Sequence, residues 1–298
     1  MGDEIHVCYC VNRGMLQPLC VSAFSVVQSV ADQRVVIWVF HEDFCEQDVS
    51  KVRDTLAPLR GAELEFRRID LTRFSGWDGL HGEAITFAKP LLPSFLRDET
   101  DRIVYLDADT VVSGGIADLY ARDLEGHPIG AVSYETLGET QNRSFFQEAG
   151  LDLSKKSFNA GVLLIDVDRW SRGGLTKEVI DFMRANNGKY SGADQAAQNA
   201  VFHDDFLPLE IRYNKRASPD TEIGKRQAED GIIHFVGIPK PWDIWGRWLN
   251  ENHWIYERYR RRAGVPPHSV LESVRRQGGW RSAKGLASGL RVMVRQAQ

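Results

Sequence analysis

Asp107 and Asp109 stand two residues apart at the end of an apolar run, in IVYLDADTVV over residues 103–112. Two carboxylates that close repel each other unless a proton or a cation lies between them. A divalent ion resolves that conflict. An aspartate after a strand is also a common cap or Asx turn, so the pair needs partners before it implies chemistry. His234 is the best candidate for a third ligand. In GIIHFVGIPKPW it sits inside an apolar run, where an unpaired imidazole is costly to bury, although many buried histidines are simply satisfied core residues. A mixed oxygen and imidazole site suits Mn2+ better than Ca2+, with Mg2+ the alternative. Gly237 and Pro239 then let the backbone turn tightly, and Lys240 follows as a cation able to reach an anion. Two carboxylates, a histidine, a metal and a lysine make a clamp for a diphosphate. Both cations would neutralise the charge that grows as the diphosphate departs.

Such residues need a scaffold, and the chain supplies alternating signals. IHVCYCV and RVVIWVF are short apolar runs expected as strands, the second nearly all apolar, as a strand buried on both faces tends to be. Pro18 opens a helical pattern carried by Leu19, Val26, Val27 and Val30, and residues 46–58 form another helix with Val49, Val52 and Leu56 on one side. LEFRRID is a third strand. ITFAKPLLPSFL is a helix interrupted by Pro90 and Pro93, and IVYLDADT is the next strand. IGAVSY, VLLIDV and IIHFV are later strands, with helices over 175–186 and after Gly192. This order predicts an α/β fold with a single, mostly parallel central sheet flanked by helices. Ligands of such sheets collect beyond the carboxyl ends of the strands, where Asp107 and Asp109 stand. On an extended chain residues i and i+2 point to one side, so both carboxylates are expected to converge.

With 298 residues the chain forms one large domain or two small ones. The net charge of −4 argues against a general nucleic-acid binder, so no nucleic-acid partner is expected. Cys8, Cys10, Cys20 and Cys45 form no C-x-x-C pair and are expected as reduced core residues, which fits a cytoplasmic protein. The acidic start MGDEIHVCYC does not resemble a signal peptide, and no window has the apolar length of a membrane span. Composition shifts late. From Arg258 onward basic residues dominate, which divides the chain into a body over 1–257 and a basic tail over 258–298. Leu286, Leu290 and Met293 fall at helical spacing there, beside Trp280, while Gly278, Gly279, Gly285 and Gly289 weaken any free helix. The tail is either solvated and disordered or a peripheral contact with an anionic membrane, each basic residue contributing up to ~1 kcal/mol.

Four blocks carry a resemblance: ITFAKPLLPSFL…DRIVYLDADTVVSGGIADLY, FNAGVLLIDVDRW, GADQAAQNAVF with its later LP…YN, and IIHFVGIPKPW. In this order and spacing the chain resembles, over about residues 5–250, the retaining glycosyltransferases of family 8, which include glycogenin and bacterial lipopolysaccharide galactosyl- and glucosyltransferases. The resemblance implies a GT-A-type nucleotide-sugar-binding fold. It implies Asp107, Asp109 and His234 as metal ligands, and Lys240 as the contact to the donor diphosphate. Lys89 stands where the family usually has arginine near the donor sugar and phosphates, which keeps the charge but loses the bidentate fork. Asn159 would face the donor sugar, and Asp194 with Gln195 would lie beside the anomeric carbon. The implied reaction moves a hexose from a nucleotide sugar, UDP-glucose or UDP-galactose, to a hydroxyl of a glycan or lipid-linked acceptor.

One block departs. CVNRGML places Asn12 and Arg13 where acidic residues are common, and Met15 where a stacking tyrosine is common. Asn12 can still hydrogen-bond a base edge. Near Tyr134, Glu135 is one position from a site that is often acidic. Trp242, Trp245, Trp248 and Trp254 are candidates for an acceptor groove, with core packing the competing explanation. The same residues are compatible with two other functions: a catalytically silent nucleotide-sugar or glycan-binding protein of the same fold, and a nucleotidyltransferase.

Overall fold

The structure is a computed structural model that describes residues 4–30, 33–77, 84–192, 194–218, 230–243, 246–250 and 252–268. It opens with a run of β-α units: β1 (Glu4–Val11), α1 (Leu16–Ser29), β2 (Arg34–His41), α2 (Glu46–Leu56) and β3 (Ala62–Arg68). Then come α3 (Leu92–Leu96), β4 (Arg102–Leu106), β5 (Thr110–Val112), α4 (Ile116–Tyr120), β6 (Ile129–Thr136), α5 (Arg143–Glu148) and β7 (Lys156–Asp166). The remainder holds α6 (Val167–Arg172), α7 (Leu175–Ala185), α8 (Asp194–Val201), β8 (Leu207–Pro208), β9 (Lys215–Arg216), β10 (Ile232–His234), α9 (Gly246–Leu249) and α10 (His253–Arg262).

Seven strands form the central sheet in the order β3-β2-β1-β4-β7-β6-β8. The pairs β3-β2, β2-β1, β1-β4 and β6-β8 are parallel, and only β7 runs against its two neighbours. The mostly parallel sheet expected from the β-α order is therefore present. RVVIWVFH is buried at every position after Arg34, as an interior strand covered on both faces must be. One apolar core, around α1, α2 and α10, covers one face. A second, around α3, α6, α7 and α8, covers the other.

Three local readings need correction. The first helix begins at Leu16, not Pro18, and the proline sits in the first turn, whose N–H groups have no intrahelical acceptor to lose. ITFAKPLLPSFL is not one kinked helix: two 3-10 turns, Ala84–Phe87 and Lys89–Leu91, precede the short α3. The cysteines are not all core residues. Cys8 and Cys20 are buried and Cys10 is half-buried, but Cys45 is exposed before α2, its thiol 3.2 Å from the Asp48 carboxylate.

A second, three-stranded sheet, β5-β10-β9, extends the fold beyond the central one. The chain leaves the central sheet after Leu106 and enters the small sheet at Thr110. Asp107 to Asp109 form the turn between the two, so the strand expected through IVYLDADT stops before the carboxylates. Buried hydroxyls on α1 hold this junction. Ser22 lies 2.9 Å from the Thr110 hydroxyl, Thr110 donates to the Asp107 carbonyl at 2.9 Å, and Ser25 accepts from Val112 N–H at 2.8 Å.

α10 runs through position 257, where the body was expected to give way to a basic tail. Ile255, Tyr256, Tyr259, Ala263 and Val265 are buried in the main core, so folded structure continues past that point. The arginines there are anchored: Arg260 and Arg261 both bond Glu257. Their bonds hold the Glu257 carboxyl at about 2, below its ordinary 4.5, against a smaller opposing effect of burial. A depressed carboxyl pKa stabilises the fold above its unfolded value and loses that contribution as pH falls through the folded one. Glu257→Gln is therefore expected to lower stability above about pH 4.5, by on the order of 1 kcal/mol after solvent screening. The deficit should shrink as pH falls towards 2; a pH-independent deficit in urea denaturation would contradict the assignment. The other tail residues, Trp280 and Leu286 among them, lie outside the described residues. No described helix is long and apolar enough to cross a membrane.

Candidate active site

The site forms at the carboxyl edge of β4, between the two sheets. β7 runs antiparallel to β4, so its amino-terminal half reaches the same edge, where Leu106 pairs with Val162 and Asp107 N–H donates to the Gly161 carbonyl at 2.8 Å. β10 pairs with β5 so that His234 lies opposite Thr110, directly after Asp109. Phe235 N–H donates to the Asp109 carbonyl at 2.9 Å. Main-chain pairing thus brings a residue from far along the sequence against the carboxylates.

His234 Nε2 is 3.2 Å from Asp109 Oδ1 and 3.7 Å from Asp107 Oδ2. One ligand atom from each of the three residues lies within 4.8 Å of the others. Asp109 Oδ1 is buried and makes no well-aligned hydrogen bond, its polar contact being His234 Nε2 at 3.2 Å. The wall behind is shaped to fit: a Cβ on Gly161 would stand 2.1 Å from His234 Cε1 and 2.8 Å from Asp107 Oδ2. Two carboxylates and an imidazole suit a divalent cation. The expected convergence of Asp107 and Asp109 holds, but a turn produces it, not an extended strand.

Two lysines flank the cluster. Lys240 Nζ is 2.6 Å from Asp109 Oδ2 and also bonds the Phe235 carbonyl. Burial resists ionisation of Asp109, but Lys240 and His234 outweigh it and hold the carboxyl well below the usual range. On the other side Lys89 Nζ lies 2.9 Å from Asp194 Oδ2, 3.7 Å from Asp107 Oδ1 and 4.5 Å from the centre of the Tyr105 ring, and donates to the Ala160 carbonyl at 2.7 Å. Burial disfavours the Lys89 charge, yet Asp107 and Asp194 outweigh it and raise the ammonium's pKa. Burial also pushes the Asp194 carboxyl up, and Lys89 pulls it back only in part. Lys89 and Asp194 form a buried pair, their side chains 7% and 9% exposed. Removing one partner of such a pair costs about 3–5 kcal/mol, because the other charge stays buried. Lys89→Met is expected to cost that much in urea denaturation, and adding Asp194→Asn should return most of it. Additive losses would contradict the pairing.

Asp194 is the first residue of α8, and its Oδ2 also accepts from Gln198 Nε2 at 2.7 Å. Gln195 Oε1 accepts from Asn159 Nδ2 and from Ala160 N–H, each at 3.1 Å. The structure therefore brings Asp107, Asp109, His234, Lys240, Lys89, Asp194, Asn159 and Gln195 into one connected group. Asn12 follows β1, the neighbour of β4, at the same carboxyl edge. Gly237, at φ +75°, turns the loop between His234 and Lys240. Met15 is half-buried against the main core.

Three residues near the chemistry carry no role in the sequence reading. Tyr105 donates to Asp107 Oδ1 at 2.6 Å, and burial together with Asp107 keeps its phenol protonated. Gly161 makes room for His234. Asn214 bonds His234 at 3.0 Å and Asn159 at 2.9 Å. The FNAG and YN blocks contain the last two, but their roles depend on packing between distant segments. Glu135 stands 4.0 Å from Arg216, whose guanidinium covers the Tyr134 ring. Trp242 and Trp254 are half-buried on the main core, Trp242 against Tyr256, as core packing predicts. Trp245 and the side chain of Trp248 lie outside the described residues.

The fold is of the GT-A type. A solved galactosyltransferase, LgtC, in complex with donor and acceptor sugar analogues, superposes with a TM-score of 0.72 at 24% identity, over 92% of this chain and 100% of that one. The sequence model of glycosyl transferase family 8 matches residues 6–246, and the chain belongs to that family. General stress protein A of Bacillus subtilis is 25% identical over 81% of this chain and 88% of its own length. The lipopolysaccharide 1,3-galactosyltransferase of Salmonella typhimurium is 24% identical over 82% of this chain and 75% of its own. The protein is accordingly a glycosyltransferase.

Proposed function

We propose that the protein transfers a hexose, with retention, from a UDP-sugar to a hydroxyl of a glycan or lipid-linked acceptor, with Mn2+ held by Asp107, Asp109 and His234. The observation that carries this reading is the convergence of those three side chains, one ligand atom of each within 4.8 Å of the others. Mn2+ or Mg2+ bound there would neutralise charge on the departing diphosphate. Lys240, beside Asp109, adds a second positive charge to the same leaving group and orients it. Lys89 keeps Asp194 in place and faces the same edge from the opposite side. Asn12 remains the candidate for the base edge and Asn159 for the donor sugar.

Retention needs either two successive inversions through an enzyme nucleophile or a single attack from the face the leaving group departs. An amide oxygen has two lone pairs, and both on Gln195 Oε1 accept hydrogen bonds, which leaves no free pair for a nucleophile. Asp194 is tied to Lys89 and Gln198. These bonds favour a front-face route: the acceptor oxygen bonds the anomeric carbon as the carbon–phosphate oxygen bond breaks, and the diphosphate takes the acceptor's proton. The tail beyond 268, if it meets an anionic membrane, would bring the enzyme to a lipid-linked acceptor at the inner face.

A panel of UDP-, GDP- and dTDP-hexoses tests the donor. Only UDP-glucose or UDP-galactose should be consumed, and proton NMR of the first product should show the donor's anomeric configuration. Turnover of another donor, or an inverted product, would overturn the corresponding part of the proposal. Vesicle binding that weakens with salt is expected for the tail; salt-independent binding, or none, would remove the membrane role.

A further inference from the structure

Behind the metal ligands lies a row of side-chain amides whose orientation follows atom by atom from two backbone donors. Ala160 N–H lies 3.1 Å from one terminal atom of Gln195. A backbone N–H only donates, so that atom is the amide oxygen. Gly161 N–H, at 3.0 Å, fixes Oδ1 of Asn159 in the same way. Asn159 must then turn Nδ2 towards Gln195 Oε1, as it does at 3.1 Å. Asn214 meets that same Asn159 oxygen at 2.9 Å, so it does so with Nδ2. This leaves Asn214 Oδ1 facing His234 Nδ1 at 3.0 Å. An amide oxygen only accepts, so Nδ1 carries a proton. The nitrogen left to bind a cation is Nε2, the atom that faces Asp107 and Asp109. Every donor in the row points away from His234, and all three amide side chains are fixed by partners at both ends or by the main chain.

We propose that Asn214 is a positioning residue that holds His234 in the Nδ1–H form with Nε2 towards Asp107 and Asp109, and that Asn159 sets Asn214 from behind. Asn214 and His234 are both buried, so no solvent molecule in bulk water substitutes for the lost partner without rearrangement. Outer partners of metal-binding histidines fix the ring's tautomer and orientation, and their loss commonly costs about 10–100-fold in metal affinity. The inference rests on the metal-binding reading above. It adds that an asparagine touching no metal ligand, Asn159, contributes to metal affinity through a second asparagine.

Calorimetric titration with Mn2+ alone tests this on the full chain, without a donor or acceptor. Asn214→Ala is expected to weaken Mn2+ binding about 10–100-fold. Asn214→Asp still offers an oxygen to His234 Nδ1–H but turns its other oxygen onto Asn159 Oδ1, so its affinity should fall by clearly less than that of Asn214→Ala. Asn159→Ala should weaken binding by a smaller factor, and the double alanine variant no more than Asn214→Ala, because the two act in series. Thermal unfolding of each variant separates a general loss of stability from a loss of alignment. Wild-type affinity in Asn214→Ala, or equal losses in the alanine and aspartate variants, would overturn the proposal. If Asn214→Ala does not fold, Asn214→Asp decides it: retained affinity supports the alignment role and lost affinity rejects it. Absence of Mn2+ binding by the wild type would overturn the metal reading itself, and this inference with it.

Discussion

Asp109→Asn should abolish metal binding and lower donor turnover about 1,000-fold while the protein stays folded. Asparagine keeps the shape of the side chain but removes the charge that faces both His234 Nε2 and Lys240 Nζ. A cation acting as a Lewis acid supplies several kcal/mol of transition-state stabilisation, and about 4 kcal/mol corresponds to roughly three powers of ten in rate. Asp107 is the weaker test, since it is the more exposed carboxylate and also bonds Tyr105 and approaches Lys89. Calorimetry with Mn2+ and a nucleotide-release assay on the same preparation check both halves. A variant that still binds Mn2+ with wild-type affinity would place the metal elsewhere.

Gly161→Ala is expected to be nearly as damaging, although it removes no functional group. The added methyl would stand 2.1 Å from His234 Cε1 and 2.7 Å from Nδ1. Ordinary contact needs well over 3 Å, and the ring cannot swing freely because His234 is 4% exposed and bonded to Asn214. Forcing an extra carbon into such a site typically costs about 1–3 kcal/mol in stability. The displaced ring should also bind metal poorly, with Mn2+ affinity falling about 100-fold, the upper end of the loss when a ligating histidine is disoriented. The double variant Gly161→Ala with His234→Ala separates the effects. Stability should return in part, because the closest clash is gone and only the 2.8 Å approach to the movable Asp107 carboxylate is left, and metal binding should not return. Full metal affinity in Gly161→Ala would show that the wall of the site is softer than its contacts imply.

These expectations also mark what a sequence can and cannot reveal. RVVIWVF is legible because an interior strand must be apolar on both faces. Asp107 and Asp109 are legible because paired charges after an apolar run demand an explanation, and His234 because it breaks such a run. The small sheet is harder to read: β9 has two residues and β5 and β10 have three each, too short for any periodicity. Its consequence, a turn at Asp107–Asp109 where an extended strand is expected, is hidden for the same reason. The basic composition after Arg258 suggests a tail, but Tyr259, Ala263 and Val265 carry the chain back into the core. Asn214, Gly161 and Tyr105 act through contacts between segments that pairing of β7, β4 and β10 brings together. No local pattern marks them, and only the deduced hydrogen-bond directions and the missing Cβ identify their roles.

The central claim is that the Asp107–Asp109–His234 cluster binds a metal that the glycosyltransferase uses on a nucleotide sugar. Release of UDP from UDP-glucose and UDP-galactose, measured with Mn2+ and then with excess EDTA, tests it most directly. The account predicts release from at least one donor with Mn2+, loss of release in EDTA, and recovery when Mn2+ is restored. Release that continues unchanged in EDTA would contradict it.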